Sequence, residues 1–296
     1  SGKHQPANSY ANTIEYLNIS TAGDNSADFG DLTVARGLTN ACASTTRGCF
    51  GGGLTPSVSD VIDYVTIATI GNASDFGNLQ AGKREPGATS NSTRGIWFGG
   101  WTGGGSPYAG TDEIDYITIA SAGNASDFGN LSAGRRDILA ATASPTRGIT
   151  GGGWIPGNSD VGVNIMEYVT IGSTGDVTDF GNLTDTRWDS SATGSSTRGI
   201  FGGGYKSPTA ITTIDYITIA STGDASAFGD LSVKCSACGA TSNNVRGMFS
   251  GGSTPSATNR IEYITIAATG NTADFGDLGN NYEWITATSG NHGGVQ

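Results

Sequence analysis

The chain has 296 residues, of which 48 are glycine and 36% are hydrophobic, and its formal net charge is −11. This acidic balance argues against a general nucleic-acid binder, which needs clustered lysine and arginine, and against an anionic membrane surface as the main partner. No apolar run is long enough to span a bilayer, and the first residues, SGKHQPANSY, lack the apolar core of a signal peptide.

A motif centred on tyrosine recurs along the chain in the order IEYLNI, IDYVTI, IDYITI, MEYVTI, IDYITI and IEYITI. The tyrosines are 48, 52, 52, 48 and 47 residues apart, and a phenylalanine follows each one by 12 or 13 residues. These landmarks are Tyr16, Tyr64, Tyr116, Tyr168, Tyr216 and Tyr263, and Phe29, Phe76, Phe128, Phe180, Phe228 and Phe275. Self-similarity at a nearly fixed period predicts six copies of one structural unit.

Each copy predicts four short strands, as the segments ILAATAS, RGITGGG, IMEYVTI and VTDFGNL illustrate. The third of these is apolar on both faces, so we expect it to be covered on both. A glycine and Asp/Asn turn, GSTGD, separates the last two and suits a hairpin. No stretch has the spacing of an amphipathic helix.

Six units of four strands predict an all-β fold, a six-bladed β-propeller that forms one domain over residues 1–296. The last residues, ATSGNHGGVQ, match the first two strands of a unit, ATSNSTRGIW, and the first residues match the remaining two. We therefore expect one blade to be shared by the N- and C-termini.

The segment STRGIWFGGW has four close relatives, each with an arginine and a glycine pair. The glycines are expected to close the second strand where the chain needs a positive φ. For the arginines we favour a structural role, binding carbonyls or carboxylates between blades, over a functional ring of cations. The arginines are Arg47, Arg94, Arg147, Arg198 and Arg246, and the candidate carboxylates are Asp28, Asp75, Asp127, Asp179 and Asp274.

The small-residue strand, IWFGG, IDYITI and the aromatic DFGNL together resemble the kelch repeat over essentially the whole chain. The fourth-strand aromatic is phenylalanine here, where kelch repeats usually have tryptophan. The resemblance implies that Arg36, Arg84, Arg136 and Arg187 occupy a basic position of the repeat and are structural. The repeats are also similar to tandem repeats in structural and tail-appendage proteins of marine tailed phages, which implies a virion or extracellular location.

The copies differ in two loop sets, one after the double glycine and one between successive units, which share a face in an up-and-down blade. Variable loops on a rigid scaffold are where binding residues concentrate. Flat aromatics suit sugar rings or a protein partner, and the alternative is that they fold back as local plugs. The predicted ligand-binding residues are Trp101, Tyr108, Trp154, Trp188, Tyr205, Lys206, Arg84, Arg135, Tyr282 and Trp284.

No catalytic motif or cofactor site stands out. His4 and His292 have no partner at metal-ligand spacing, and turns such as DVTD lack the carboxylates of a calcium loop, so they are expected to be hairpin turns. The cysteines, Cys42, Cys49, Cys235 and Cys238, are expected to be small buried thiols; Cys42 and Cys49 could face each other, and a disulfide is possible but not favoured.

These patterns predict a non-enzymatic, monomeric binding or structural module. Its partner would be a cell-surface glycan, a protein receptor or another virion protein. Two alternatives stay open. One is a purely structural propeller without a ligand. The other is a glycan-active enzyme in the channel mouth, for which Asp137, Asp189 and Glu283 are the candidate carboxylates.

Overall fold

The short alternating segments of the repeats form β-strands in a computed structural model of the chain. The structure describes residues 2–4, 9–21, 23–103, 110–157, 162–253 and 255–295, apart from the His4 side chain. One 3₁₀ turn, Gly293–Val295, is the helical structure among them. Within these ranges, no helix has the length and apolar character needed to cross a bilayer.

The chain begins with two hairpins, β1 (Gly2–His4) with β2 (Ser9–Ala11), and β3 (Thr13–Tyr16) with β4 (Ala27–Asp31). Five four-stranded antiparallel sheets follow, which we call blades 1 to 5. Blade 1 contains β5 (Asn40–Ala43), β6 (Arg47–Gly51), β7 (Val61–Thr66) and β8 (Ser74–Asn78). Blade 2 contains β9 (Gly87–Ser90), β10 (Arg94–Phe98), β11 (Thr111–Thr118) and β12 (Ser126–Arg135).

Blade 3 contains β13 (Ala141–Ala143), β14 (Arg147–Gly151), β15 (Ile165–Thr170) and β16 (Thr178–Asn182). Blade 4 contains β17 (Ser191–Gly194), β18 (Arg198–Gly202), β21 (Thr213–Thr218) and β22 (Ser226–Asp230), with a small hairpin of β19 (Tyr205–Lys206) and β20 (Thr209–Ala210) between its second and third strands. Blade 5 contains β23 (Gly239–Ser242), β24 (Arg246–Ser250), β25 (Thr258–Thr265) and β26 (Ala273–Glu283), and β1 and β2 extend its outer edge.

The first strand of each blade faces the axis, because the inner strands β5, β9, β13, β17 and β23 contact one another in sequence. Residues of all five line a narrow axial channel of about 60 Å³ together with residues 285–288. The arrangement is a β-propeller, as the repeats predict.

A sixth position in the ring is occupied by the β3–β4 hairpin and the C-terminal segment 285–295, and we call it the sixth station. At each of the six positions, a turn glycine donates its N–H to the phenylalanine carbonyl of the preceding position, over 2.7 to 2.9 Å. Gly23 of the sixth station donates to Phe275 of blade 5, and Gly71 of blade 1 donates to Phe29 of the sixth station. The outer ring is therefore closed by hydrogen bonds.

The prediction of six four-stranded blades is wrong, since the propeller has five and the sixth station has only one strand pair, β3–β4. The N-terminus supplies this outer pair as expected. Residues 285–288 lie beside the channel without strand pairing, and Gly293–Val295 forms a 3₁₀ turn. The physical reason lies in the sequence, because Gly293 stands where Arg198 begins the second strand of blade 4, so the arginine that binds a tyrosine ring and a carbonyl of the next position is missing.

The apolar core lies between neighbouring blades. Phe98 and Phe128 of blade 2, for example, pack in one buried cluster with Ala143 and Val169 of blade 3. The landmark tyrosine and phenylalanine of each repeat meet edge-to-face at 5.8 to 6.1 Å between ring centroids. The repeated apolar residues therefore hold adjacent blades together.

The double glycine after each second strand has positive φ at both residues, as in Gly203 (61°) and Gly204 (105°). A Cβ on Gly203 would lie 2.5 Å from the carbonyl oxygen of Cys235. The predicted role of the glycine pair is confirmed, because neither the backbone conformation nor the space accommodates a side chain.

Candidate binding face

The two variable loop sets meet on one face of the propeller. In five units, the residue after the double glycine forms a single β-bridge with a residue that follows the fourth strand of the preceding unit. At the sixth position, Lys3 of β1 pairs with Glu283 at the end of β26. We call this side the variable face. Its six pairs are Gly37–Leu54, Arg84–Trp101, Arg136–Trp154, Trp188–Tyr205, Ser236–Ser253 and Glu283–Lys3.

Three consecutive pairs contain aromatic rings, and we call Arg84–Trp101, Arg136–Trp154 and Trp188–Tyr205 the aromatic arc. The guanidinium groups of Arg84 and Arg136 each lie 4.3 Å from the centroid of the paired indole. Trp188 and Tyr205 stack at 4.8 Å with a tilt of 43°. Cation–π and aromatic contacts of this kind hold large side chains in place.

Exposure differs along the arc. Trp154 is 6% exposed, whereas Trp101, Trp188 and Tyr205 are half-buried. Tyr205 is also anchored, because its hydroxyl donates to the carbonyl of Pro208 over 2.7 Å. The half-buried rings keep part of their surface available for contact with a ligand.

Three carboxylates, Glu85, Asp137 and Asp189, follow directly after the first residues of the arc pairs. One oxygen from each lies within 4.8 Å of the others. All three residues are in the left-handed backbone region with φ of 52 to 56°. Backbone hydrogen bonds link the loops that carry them, since Asp189 N donates to Asp137 O over 3.0 Å and Ile138 N donates to Glu85 O over 3.3 Å.

Burial raises the pKa of Glu85 well above its ordinary value, and the neighbouring Asp137 raises it further. Burial and Asp137 likewise raise the pKa of Asp189. Arg136 offsets part of this repulsion through an ion pair of 3.2 Å with Asp137, and Arg84 lies 3.7 Å from Glu85. The cluster can hold protons, accept hydrogen bonds from hydroxyl groups or supply oxygen ligands to a cation.

Sequence reasoning identified part of this cluster. Asp137 and Asp189 do lie together, but Glu283 is not with them, since it forms an ion pair of 3.5 Å with Lys3. The third member, Glu85, was missed. Aligning the six units would have found it, because an acid follows Arg84, Arg136 and Trp188 at the same position.

Arg135 lies inside the propeller and not at a ligand-accessible surface. It is 1% exposed and is hydrogen-bonded to Glu167 within a buried ion pair. Equivalent pairs form in three other units, Arg36–Asp63 at 2.9 Å, Lys83–Asp115 at 2.6 Å and Arg187–Asp215 at 2.6 Å. The structure therefore corrects the assignment of Arg135 as a binding residue, while the structural roles of Arg36 and Arg187 are confirmed.

At the sixth station, Tyr282 occupies the position that a buried arginine or lysine, such as Arg135, has in other units. It is 7% exposed, and its hydroxyl is 3.4 Å from the Glu15 carboxylate. This position corrects its assignment to the ligand surface, since little of the ring can reach a ligand.

The remaining predicted residues have varied positions. Trp284 is half-buried under the ammonium group of Lys3, at 4.7 Å. Lys206 is exposed and forms an ion pair with Asp185. Tyr108 lies outside the described residues.

The opposite, uniform face shows one contact repeated five times. Each repeated arginine donates Nη1 to an isoleucine carbonyl of the next position over 2.9 or 3.0 Å. Its guanidinium group also lies 4.6 to 5.1 Å from the landmark tyrosine ring of its own blade. The structural interpretation of these arginines is confirmed, with carbonyls and not the proposed aspartates as acceptors.

The turns that resemble calcium loops have a structural partner. Their Asp or Asn side chain accepts a backbone N–H from the preceding position, as Asp176 does from Asn130 (2.9 Å) and Asn25 does from Asp277 (3.0 Å). These hydrogen bonds explain why an acid or amide recurs in the turn.

The cysteines differ from expectation in one pair. Cys235 and Cys238 form a disulfide with an S–S distance of 2.18 Å, so the preference for thiols is corrected there. Cys42 and Cys49 face each other across β5 and β6 as buried free cysteines, and burial raises the pKa of Cys42.

His292 lies at the axial channel, where its Nε2 is 3.1 Å from both Ser90 Oγ and the Ala43 carbonyl. Burial lowers its pKa to about 4, so the imidazole is neutral at ordinary pH. Whether His4 lies nearby falls outside the described side chains.

No protein-family model matches the chain, and no curated protein sequence matches it. The arguments for its function therefore depend on the geometry of the variable face and on the repeat pattern.

Proposed function

We propose that the chain is a non-enzymatic recognition propeller that binds a cell-surface glycan through the variable face over the aromatic arc. The observation that carries the proposal is the asymmetry of this face. Three consecutive pairs have aromatic rings and three carboxylates beside them, whereas the equivalent residues elsewhere include Gly37, Leu54, Ser236 and Ser253. The shared architecture does not require this difference.

The chemistry of the arc suits carbohydrate. Indole and phenol rings present flat apolar surfaces to the C–H face of a sugar, and Trp101, Trp188 and Tyr205 are half-buried on a rigid base. Carboxylates accept hydrogen bonds from sugar hydroxyls, and arginines donate to the ring and hydroxyl oxygens. Both groups are present next to the aromatic rings.

A protein receptor or another virion protein is the second candidate. Tryptophan, tyrosine and arginine are the residue types that dominate protein interfaces, and Arg84 and Trp101 form such a pair. A glycan is favoured because the carboxylates converge at the centre of the arc, where a protein interface core would be depleted of charge.

The kelch-like repeats, and their similarity to repeats of tailed-phage appendage proteins, support the proposal of a virion or extracellular, monomeric module. An enzyme in the same mouth is the less favoured alternative. It would need two carboxylates accessible on either side of a scissile bond, whereas Glu85 and Asp137 are both buried.

A glycan array tests the proposal. We expect the wild-type chain to bind at least one glycan class, and Trp101→Ala and Trp188→Ala to weaken that binding at least tenfold, with sugar recovered uncleaved. Leu54→Ala and Ser236→Ala are the matched controls, because they occupy the positions equivalent to Trp101 and Trp188 outside the arc. Absence of glycan binding, or equal loss in the controls, would overturn glycan recognition by the arc, and cleaved sugar would favour the enzyme.

A further inference from the structure

A cavity lies at the sixth station, and its lining includes no residue of the aromatic arc. This cavity of about 300 Å³ opens between the C-terminal segment, β3 and the flanking blades 1 and 5. We call it the slot. Its lining is mainly apolar and includes Ile14, Phe50, Val65, Met248, Ile261 and Ile285.

The position of the slot corresponds to a second strand. In blade 4, β18 lies between the inner strand β17 and the third strand β21. At the sixth station, residues 285–288 lie beside the axis and β3 corresponds to the third strand, but within the described part of the chain β3 forms a sheet only with β4. Among the described residues, no strand pairs with the edge of Ile14–Tyr16 that faces away from β4, and this edge borders the slot, which is the arrangement that accepts an added β-strand.

The repeats show which side chain this strand would carry. In each blade the second strand begins with an arginine that covers a tyrosine ring and donates to a carbonyl of the next position. The equivalent groups at the slot are the Tyr16 ring and the Ile67 carbonyl. Among the described residues no arginine contacts either group, and Tyr16 is 44% exposed.

The C-terminal segment, described as far as Val295, lines the slot through residues 285–290 and does not fill it. Gly293–Val295 forms its 3₁₀ turn beside the channel, where Gly293 lies against Ala143 and Ser195, and Gly294 lies against Ser90. This segment contains no arginine and no aromatic residue.

We infer that the slot binds, from a separate chain, an extended segment with the sequence Arg-Gly-apolar-aromatic. The segment forms a β-strand along β3 and completes a sixth four-stranded blade. Its arginine stacks on Tyr16 and donates to the Ile67 carbonyl, and its apolar residues contact Phe50 and Met248. The five second strands of the chain, such as RGIFG and RGMFS, are templates for this chemistry.

Fluorescence anisotropy with a labelled peptide of residues 196–204, STRGIFGGG, tests the inference on the full chain. We expect saturable 1:1 binding. Replacing the peptide's arginine by alanine (R198A) is expected to weaken binding about tenfold, since a cation–π contact and one hydrogen bond are lost. Absence of saturable binding at roughly 1 mM peptide would overturn the inference.

Variants of the chain locate the binding. Tyr16→Ala is expected to weaken binding several-fold, whereas Tyr116→Ala, whose ring is already covered by Arg94, is the matched control. Gly48→Leu fills the slot from blade 1 and should abolish binding. If Gly48→Leu and Tyr16→Ala both bind like the wild type, the peptide binds elsewhere and the inference is wrong.

Deleting residues 290–296 distinguishes the chain's own tail from a separate partner. The inference predicts that the full chain and the shortened chain both bind the peptide. If only the shortened chain binds it, the C-terminal tail is the natural occupant and a separate strand is excluded.

Discussion

The two faces of the propeller use the same scaffold differently. On the uniform face, one arginine contact recurs in all five blades with nearly constant geometry. On the variable face, the equivalent pairs range from Gly37–Leu54 to Arg136–Trp154. The difference indicates that residues repeated in every unit hold the ring together, and it is the reason why we propose the residues that differ between units as the binding residues.

Breaking a buried ion pair is the strongest test of the claim that the repeated residues hold the ring together. Arg187→Ala leaves the Asp215 carboxylate buried without its partner, so we expect a loss of about 3–5 kcal/mol in the free energy of unfolding. Lys206→Ala is the control, because its pair with Asp185 is exposed and should contribute about 1 kcal/mol or less. Denaturant unfolding measures both variants, and equal losses would contradict the distinction.

His292 at the axial channel and the carboxylate cluster of the variable face should respond to pH in opposite directions. The pKa of His292 is about 4 in the folded chain and near 6.5 when unfolded, so its contribution to stability is present above pH 6.5 and is lost as pH falls towards 4. The raised pKa values of Glu85 and Asp189 mean that the folded chain binds more protons, so stability falls as pH rises above the ordinary carboxyl range.

Thermal unfolding across pH in the presence of a chelator measures both effects. We expect His292→Gln to flatten the loss between pH 6.5 and 4, by roughly 3 kcal/mol at most, since one pKa unit corresponds to about 1.4 kcal/mol. Glu85→Gln should instead reduce the loss at higher pH. Unchanged pH profiles in both variants would show that neither His292 nor Glu85 titrates as described.

A substitution on the uniform face should lower the free energy of unfolding without changing the affinity for the glycan. Arg198→Ala removes the hydrogen bond to the Ile266 carbonyl and the stacking on Tyr216, for an expected loss of about 2 kcal/mol. Glycan affinity, measured on the folded variant by titration calorimetry, should stay within about twofold. A large loss of affinity without unfolding would transfer the binding site to the uniform face.

Much of the fold could be read from the sequence because its signals are repeated. The tyrosine, phenylalanine and double glycine landmarks identified the strands and turns, and the glycine pair has the positive φ expected of it. The blade count failed because six landmark sets do not guarantee six second strands. In the sixth set, Gly293 stands where an arginine such as Arg198 begins the second strand of the blades.

The site was only partly predictable for a different reason. Adjacent residues on a strand point to opposite sides, so spacing alone could not show that Arg135 points inwards while Arg136 covers Trp154. The ion pair between Arg187 and Asp215, the aspartate of IDYITI, could not be predicted either, because the two residues are 28 positions apart in the chain. Such pairs become visible only when the blades are folded.

Amide hydrogen exchange with and without the glycan selected on the array tests the central claim most directly. The account predicts slower exchange on binding at residues 84–85, 101–103, 136–137 and 188–189, around the aromatic arc, and no change in the turns at 44–46, 91–93 and 144–146. Protection confined to those turns, or absent from the arc, would contradict recognition by the variable face.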